Sequence, residues 1–293
     1  LEYYRTFEKH VLSNNIDFQT FGYDQGPNPD AFPPEIVASM QKALDEAKKA
    51  AKSWFVKQRV EQAQKDLDWS IPASMRRSPD KALALKYGKK EYACTRANSA
   101  ITIDGRLDED AWKSAPVSAG FIKPKTHEPV PDEIQSEFRM LRDEDNLFIA
   151  VKCRNPKISE LKETDAIWGG STDSVELFLV PQKSYTAAYY QTAVSAFNRT
   201  MPPTRFNHDQ FHKDTQWKGG EIKSATTREN GFWTCEIAIP FKMLAEGAPK
   251  NGDWWRFNIA RNCPTAASSW SPLQFGAWAL YRDFNFVTFA ELR

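Results

Sequence analysis

From about residue 96 onward, the chain is dominated by short segments in which apolar and polar residues alternate. Apolar residues occupy every second position from Leu147 to Cys153, from Val175 to Leu179 and from Trp233 to Ile239. A period of two is typical of strands with one buried face. Turn sequences such as Asn230-Gly231 bound these segments, and no helical pattern of about ten residues separates them, which disfavours a parallel βαβ sheet. The sequence therefore predicts a mainly β fold, an antiparallel β-sandwich.

The first 95 residues have a different, helical and polar pattern. After Pro33-Pro34, apolar residues recur at gaps of three and four from Ile36 to Leu67, which predicts one amphipathic helix of about eight turns that Pro72 ends or bends. Such a helix cannot bury its apolar stripe alone. We expect it to pack on a shorter helix near Arg5–Leu12, on the second half of the chain, or on sequence that is missing here.

This change of pattern predicts two regions. Residues 1–95 are a helical segment, expected to be the tail of a missing upstream region, and residues 96–293 are the β-sandwich. The chain begins at Leu1 without an initiator Met or the pattern of a signal peptide, so we expect it to be a piece of a longer or processed protein.

Charge and cysteine content exclude several classes of protein. Lys and Arg number 39 and Asp and Glu number 38, a net charge of +1, which argues against a nucleic-acid partner because such proteins usually carry a basic excess. No apolar run approaches the roughly 20 residues that cross a bilayer. None of the four cysteines lies in a CxxC pair, and we expect buried free thiols, although two disulfides are also compatible with the count.

Five blocks follow one another in the second half of the chain. They are Ile103–Trp112 (IDGRLDEDAW), Phe138–Val151, Trp168 followed by Asp173–Phe178, Gly231–Phe241 and Trp255–Arg261. Together and in this order they resemble the family 9 carbohydrate-binding modules, which are DOMON-like domains, over roughly residues 96–293. Residues 55–61 resemble, more loosely, the helical end of a glycosidase-like catalytic region.

The resemblance implies a fold and a function. The fold would be a β-sandwich of jelly-roll or immunoglobulin-like type, and a sugar would bind between two aromatic rings, with structural calcium as a possible cofactor. It implies a non-catalytic module of a bacterial glycoside hydrolase, with a poly- or oligosaccharide as partner. From that function we expect a secreted, periplasmic or cell-surface protein.

The resemblance also assigns candidate binding residues. Trp168, in a loop between Ile167 and two glycines, is the first ring, and the second is a C-terminal aromatic. Where the family carries an Arg and an Asn two residues apart, this chain has Ala193 and Ser195, so the fold could be retained while the ligand differs. The candidate carbohydrate-binding residues are Trp168, Glu176, Gln191, Arg261, Trp278 and Phe284, with Asn262 beside Arg261 as a further donor.

Other motifs are less specific. We expect Trp112, Trp233, Trp255 and Trp270 to be packing residues, because aromatic side chains dominate sandwich cores. The acidic turn Asp143–Asn146 could hold calcium through oxygen ligands. No GxSxG, P-loop or GxGxxG motif is present in the sequence, and we expect any catalytic carboxylates of the parent protein to lie upstream.

Two alternatives to glycan binding are also compatible with the sequence. Some relatives of this sandwich bind haem, which would need two axial ligands on one face. Here these would come from Met201, His208, His212 or a Lys. The other alternative is a purely structural sandwich that supports a missing catalytic barrel, in which case Trp168 would be buried.

Overall fold

A computed structural model describes residues 34–64, 81–86, 88–167, 172–181, 189–206, 220–273 and 283–291. The chain divides into two compact units, Leu1–Lys89 and Lys90–Arg293. The first strand of the second unit begins at Glu91.

The helical unit contains three described helices: α1 (Pro34–Ala50), α2 (residues 54–64) and α3 (Lys81–Lys86). The prediction of one continuous helix is wrong, because residues 51–53 are not helical and separate α1 from α2. Ser53 starts α2 as its N-cap, with its Oγ accepting the backbone N–H of Val56 at 3.3 Å. The side-chain amides of Gln41 and Gln64 exchange two hydrogen bonds of 3.0 and 2.9 Å, which hold α1 against α2. The segments around Arg5–Leu12 and Pro72 lie outside the described residues.

No helix in the part of the chain that the structure describes is long and apolar enough to cross a membrane.

The second unit consists of eleven described strands and a short helix, α4 (Asp110–Ser114). The strands are β1 (Glu91–Arg96), β2 (Ser136–Arg142), β3 (Asn146–Arg154), β4 (Ser174–Val180), β5 (Tyr189–Ser195), β6 (Thr200–Phe206), β7 (Lys223–Glu229), β8 (Phe232–Pro240), β9 (Trp254–Asn262), β10 (Ala267–Ser269) and β11 (Asn285–Phe289).

Hydrogen bonding arranges the strands in the order β6-β5-β4-β9-β11-β1-β2-β3-β8-β7, with β10 on β9. Strand β1 joins two layers. Residues 91–94 pair parallel with β11, and Thr95 and Arg96 pair parallel with β2. We call the layer with β6, β5, β4, β9, β10 and β11 sheet 1, and the layer with β2, β3, β8 and β7 sheet 2. The other ladders are antiparallel, so the predicted β-sandwich is confirmed, with a mixed sheet at β1.

The two layers enclose one main core. The alternating apolar residues of β3, β4 and β8 all belong to it, among them Ile149, Leu177 and Ile237, each with no exposed surface. This burial confirms the period-two interpretation. The four tryptophans predicted to be packing residues are 0 to 3% exposed, so that prediction is also confirmed: Trp112, Trp233, Trp255 and Trp270.

All four cysteines are free, and Cys94, Cys153 and Cys235 are buried. Burial raises the pKa of the Cys94 and Cys153 thiols to about 12. These thiols are therefore protonated at neutral pH and behave as small apolar side chains, as the sequence predicted.

The free edges of the two layers meet at the β5–β6 turn. Asn198 adopts a left-handed φ of 57° and its side-chain amide donates to the carbonyl of Ser224 on β7 at 3.1 Å. The Ser224 hydroxyl returns a bond to Asn198 Oδ1 at 2.8 Å. These bonds connect the turn beside edge strand β6 to edge strand β7, and the sandwich is nearly closed into a barrel.

Candidate functional site

The outer face of sheet 1 is the face on which the candidate site lies. In β4, Val175, Leu177 and Leu179 point into the core between the layers. Because side chains alternate across a strand, Glu176 and Phe178 point to the outer face. Phe178 belongs there to a second apolar cluster.

Glu176 is the centre of a polar triad on this face. Its Oε2 accepts a hydrogen bond from the side-chain amide of Gln191 on β5 at 2.9 Å, and its Oε1 accepts one from the amide of Asn262 on β9 at 2.5 Å. Glu176 is 6% exposed, whereas Gln191 and Asn262 are half-buried. Since both NH₂ groups face the carboxylate, both amide oxygens face away from it. We call these three residues the Glu176 triad.

The triad brings together two residues of the predicted site and one that sequence reasoning placed only as an alternative donor. Asn262 pairs in register with Ser174, and Glu176 lies between Ala193 and Ala260 on the two flanking strands. Ala193 thus lies next to Glu176 and adds no polar group. The antiparallel pairing of β4 with β9, which brings Asn262 close to Glu176, cannot be read from the sequence.

Ser195, the other departure from the family pattern, makes hydrogen bonds within the turn that follows β5. Its hydroxyl accepts the backbone N–H groups of Phe197 and Arg199 at 3.3 and 3.1 Å, which stabilises the β5–β6 turn. The polar groups that the family carries on this strand are therefore not replaced by Ser195.

Trp168 lies outside the described residues, and so does Trp278. The chain just before Trp168 is held on the same outer face as the triad: the Ser174 hydroxyl donates to the carbonyl of Ile167 at 2.6 Å. Ser174 and Glu176 are two positions apart on β4 and share a face.

Phe284 is fully buried in the apolar cluster of this outer face. Its ring centroid lies 5.5 Å from that of Phe178 at an interplanar angle of 48°, and it has no exposed surface. This placement gives Phe284 a packing role beneath the surface in the structure, in contrast to the open stacking ring that the sequence suggested.

Arg261 lies on the core side of β9, opposite Asn262. It has no exposed surface, and its guanidinium donates two bonds to Asp173, of 2.9 and 2.7 Å. Further bonds reach the carbonyls of Ile134 and Arg154. Every direction of the guanidinium fork is thus occupied within the sandwich. The structure gives Arg261 a stabilising role and does not bring it to the triad.

A second carboxylate hub lies on the outer face of sheet 2. Glu236 of β8 has no exposed surface. Its Oε2 accepts the backbone N–H groups of Asp104 and Gly105 at 3.0 and 2.8 Å, and its Oε1 accepts the indole N–H of Trp112 at 2.7 Å. Burial raises the pKa of Glu236 to about 7, and these three donors oppose the shift. The IDGRLDEDAW block is therefore bonded onto β8 through this carboxylate.

Asp104, Glu109 and Glu236 are the described acidic residues close enough to share a metal ion, with one oxygen of each within 4.8 Å of the others. Calcium takes six to eight oxygen ligands, and three N–H donors already occupy most of the Glu236 carboxylate. The cluster therefore fits a hydrogen-bonding role for Glu236 better than a calcium-binding site. At the other predicted calcium position, Asp143 Oδ1 accepts the backbone N–H groups of Asp145 and Asn146, an ordinary acidic turn.

The structure places Met201, a candidate haem ligand, half-buried on β6. His208 and His212 lie outside the described residues, so no axial pair is brought together among those the structure describes.

The second unit is thus a two-layer β-sandwich module with a polar triad on one outer face. The family model described as "Carbohydrate family 9 binding domain-like" matches residues 103–269, more than half of the chain. The chain belongs to this carbohydrate-binding family. No curated protein sequence matches it.

Solved structures of low sequence identity are similar to this chain, and two of them, with TM-scores above 0.5, share its fold. A family 9 carbohydrate-binding module from Caldicellulosiruptor kristjanssonii in complex with glucose is 16% identical, with a TM-score of 0.51 over 70% of this chain and 97% of its own. The corresponding cellotriose complex gives 16%, 0.48, 70% and 95%. A Bacteroides uniformis protein provisionally described as carbohydrate-binding is 12% identical, with a TM-score of 0.52 over 69% of this chain and all of its own.

Proposed function

We propose that the second unit binds a neutral oligosaccharide on the outer face of sheet 1, at the Glu176 triad. The observation that carries this proposal is the triad itself, in which one buried carboxylate fixes the orientation of two half-buried amides on neighbouring strands. Family membership and the glucose complex of a related fold support a saccharide as the ligand.

The chemistry of the triad suits sugar hydroxyls. Each hydroxyl donates one hydrogen bond and accepts others, and amides offer both functions. Because Glu176 holds the NH₂ groups of Gln191 and Asn262, each amide oxygen is oriented in advance to accept a bond from a hydroxyl. A site arranged before binding loses less side-chain entropy when the ligand arrives.

Trp168 is the proposed stacking ring. A flat indole covers the apolar C–H face of a pyranose and excludes water from it. The bond between Ser174 and the carbonyl of Ile167 ties the residue before Trp168 to the face of the triad, which supports this role. A second ring from Trp278 would complete the sandwich of the sugar. Phe284 packs against Phe178 in the apolar cluster beneath the proposed site and contributes no stacking surface.

We further propose that the module serves a polysaccharide-degrading protein of the glycoside hydrolase type, in which it holds the substrate and does no chemistry. Such a protein would act outside the bacterial cell membrane, as a secreted, periplasmic or cell-surface protein, because polysaccharides are found there. Structural calcium, if the module takes it, would add stability and not a catalytic function.

The test is calorimetric titration of the full chain with cello-, xylo- and manno-oligosaccharides, together with tryptophan fluorescence. Glu176→Gln should abolish or strongly weaken binding, because its new NH₂ group would face the NH₂ group of either Gln191 or Asn262, and the orientation of that amide would be lost. Trp168→Ala should weaken binding and remove the fluorescence response while the melting temperature stays unchanged.

The matched control is Glu160→Gln, the same substitution at an exposed residue paired with Lys157. It should bind like the wild type. Wild-type affinity in the folded Glu176→Gln variant, or no neutral oligosaccharide bound by the wild type, would overturn the proposal.

A further inference from the structure

A cavity lies on the outer face of sheet 2, the layer opposite the Glu176 triad. Its volume is about 620 Å³, and it lies between the outward side chains of β2, β3, β8 and β7 and the segment of residues 106–113. A neighbouring cavity of about 270 Å³ shares Glu137 and Lys152 with it. We call the two neighbouring cavities together the sheet 2 groove.

The floor of the groove is a row of polar side chains set by strand register. Glu137, Lys152, Thr234 and Thr227 face one another across four neighbouring strands. With strands about 4.8 Å apart, the row is about 14 Å long. The buried Thr234 hydroxyl already donates to the carbonyl of Gly105 at 2.6 Å. Glu137, Lys152 and Thr227 offer polar groups to a ligand, which suits a polyhydroxylated ligand better than an apolar one.

Lys152 occupies the middle of the groove and is positioned by an aromatic ring. Its Nζ lies 4.0 Å from the centroid of the Phe232 ring, a favourable cation–π distance. The ring face that could stack on a sugar is thus covered by the ammonium group. What the groove presents at this point is a positioned positive charge.

Three cations that line the groove make no ion pair within the described ranges: Lys152, Arg106 and Arg154. Arg139, in contrast, is paired with Glu137 at 3.5 Å. An unpaired cation in a partly enclosed groove attracts an anionic group of a ligand more strongly than it would in open water.

We propose that the sheet 2 groove is a second binding site, for a saccharide that carries a carboxylate. The carboxylate lies against Lys152 and Arg106, and the hydroxyls bond Glu137 and Thr227. This proposal adds an acidic class of ligand to the neutral one proposed for sheet 1. It rests on other residues, so either site can fail without the other.

The experiment is calorimetric titration of the full chain with tetragalacturonate and with its fully methyl-esterified form, in which the carboxylates are capped. The wild type should bind the acid, bind the ester at least about tenfold more weakly, and lose affinity for the acid as salt is added. Lys152→Ala and Lys152→Gln should both weaken binding of the acid about tenfold.

Two variants separate this site from the first. Lys125→Ala removes the same charge from an exposed loop residue and should bind the acid like the wild type. Glu176→Gln should also retain acid binding, while Lys152→Ala should retain binding of neutral oligosaccharides.

Equal affinity for acid and ester, no binding of the acid by the wild type, or unchanged binding in both folded Lys152 variants would each overturn the second site. Loss of neutral binding in Glu176→Gln concerns only the site on sheet 1.

Discussion

Trp112 and Glu236 are joined by a buried hydrogen bond of 2.7 Å from the indole N–H to Oε1. Trp112 closes the IDGRLDEDAW block, and Glu236 lies 124 residues later on β8. Their bond, together with those from Asp104 and Gly105, fastens this block across the outer face of sheet 2. These bonds give the block a structural role. They also explain why the acidic Glu236 occurs on a strand otherwise rich in apolar residues.

The first prediction concerns the indole N–H. Trp112→Phe keeps an aromatic ring but leaves Glu236 without one of its donors, and we expect the free energy of unfolding to fall by about 1–3 kcal/mol beyond the loss of packing. Trp270→Phe is the control, because its buried indole N–H finds no acceptor among the described residues. Denaturant unfolding measures both. Equal losses in the two variants would contradict the role assigned to the bond.

The second prediction concerns Gly105, whose φ is +88° and whose added Cβ would lie 2.7 Å from the backbone carbon of Thr226. We expect Gly105→Ala to lower the free energy of unfolding by more than about 2 kcal/mol, because backbone strain and a clash with β7 add together. Gly231 has nearly the same φ, +86°, with nothing within 4 Å of its added Cβ. Gly231→Ala should therefore lower the free energy of unfolding by about 1 kcal/mol, through the strain of the positive φ alone. A thermal unfolding series in which both variants lose equally would refute the close approach.

The third prediction is a pH dependence of stability. Burial raises the pKa of Glu236 from 4.5 to about 7, so between these values the folded state binds more protons than the unfolded state. Stability attributable to Glu236 should therefore fall as pH rises from about 4.5 to 7 and change little above 7. Asp104 and Glu109 are the described carboxyl groups next to it.

The measurement is urea unfolding at several pH values for the wild type and for Glu236→Gln. The variant is expected to be less stable, since its NH₂ group meets N–H donors, but its stability should lack the wild-type decline in this range. A parallel pH dependence in the two proteins would assign the titration to another group.

How much of this structure the sequence could predict depends on whether neighbours along the chain carry the information. The strand faces follow from local alternation, as in Val175 and Leu177, and the outward position of Glu176 follows with them. Whether Arg261 or Asn262 meets the ligand depends on the register between β4 and β9, which are about 80 residues apart, and the sequence treated both as donors. Likewise the break at Ser53 depends on α1 and α2 packing side by side, which overrides a continuous apolar stripe.

The last prediction concerns Arg261 and Asp173, which form an ion pair of 2.7 Å with both side chains fully buried. Removal of one partner leaves a buried charge without compensation, and Asp173→Ala or Arg261→Met should cost about 3–5 kcal/mol. Arg261→Lys should also destabilise the fold, because an ammonium cannot reproduce the forked bonds to Asp173 and to two carbonyls.

Arg199→Lys is the control. Arg199 pairs with the exposed Glu163 at 3.1 Å, and the free energy of unfolding should fall by less than about 1 kcal/mol. Saccharide titration of Arg261→Lys under conditions where it remains folded separates the two roles, since unchanged affinity fits a structural residue and a selective loss of affinity would return Arg261 to the binding site.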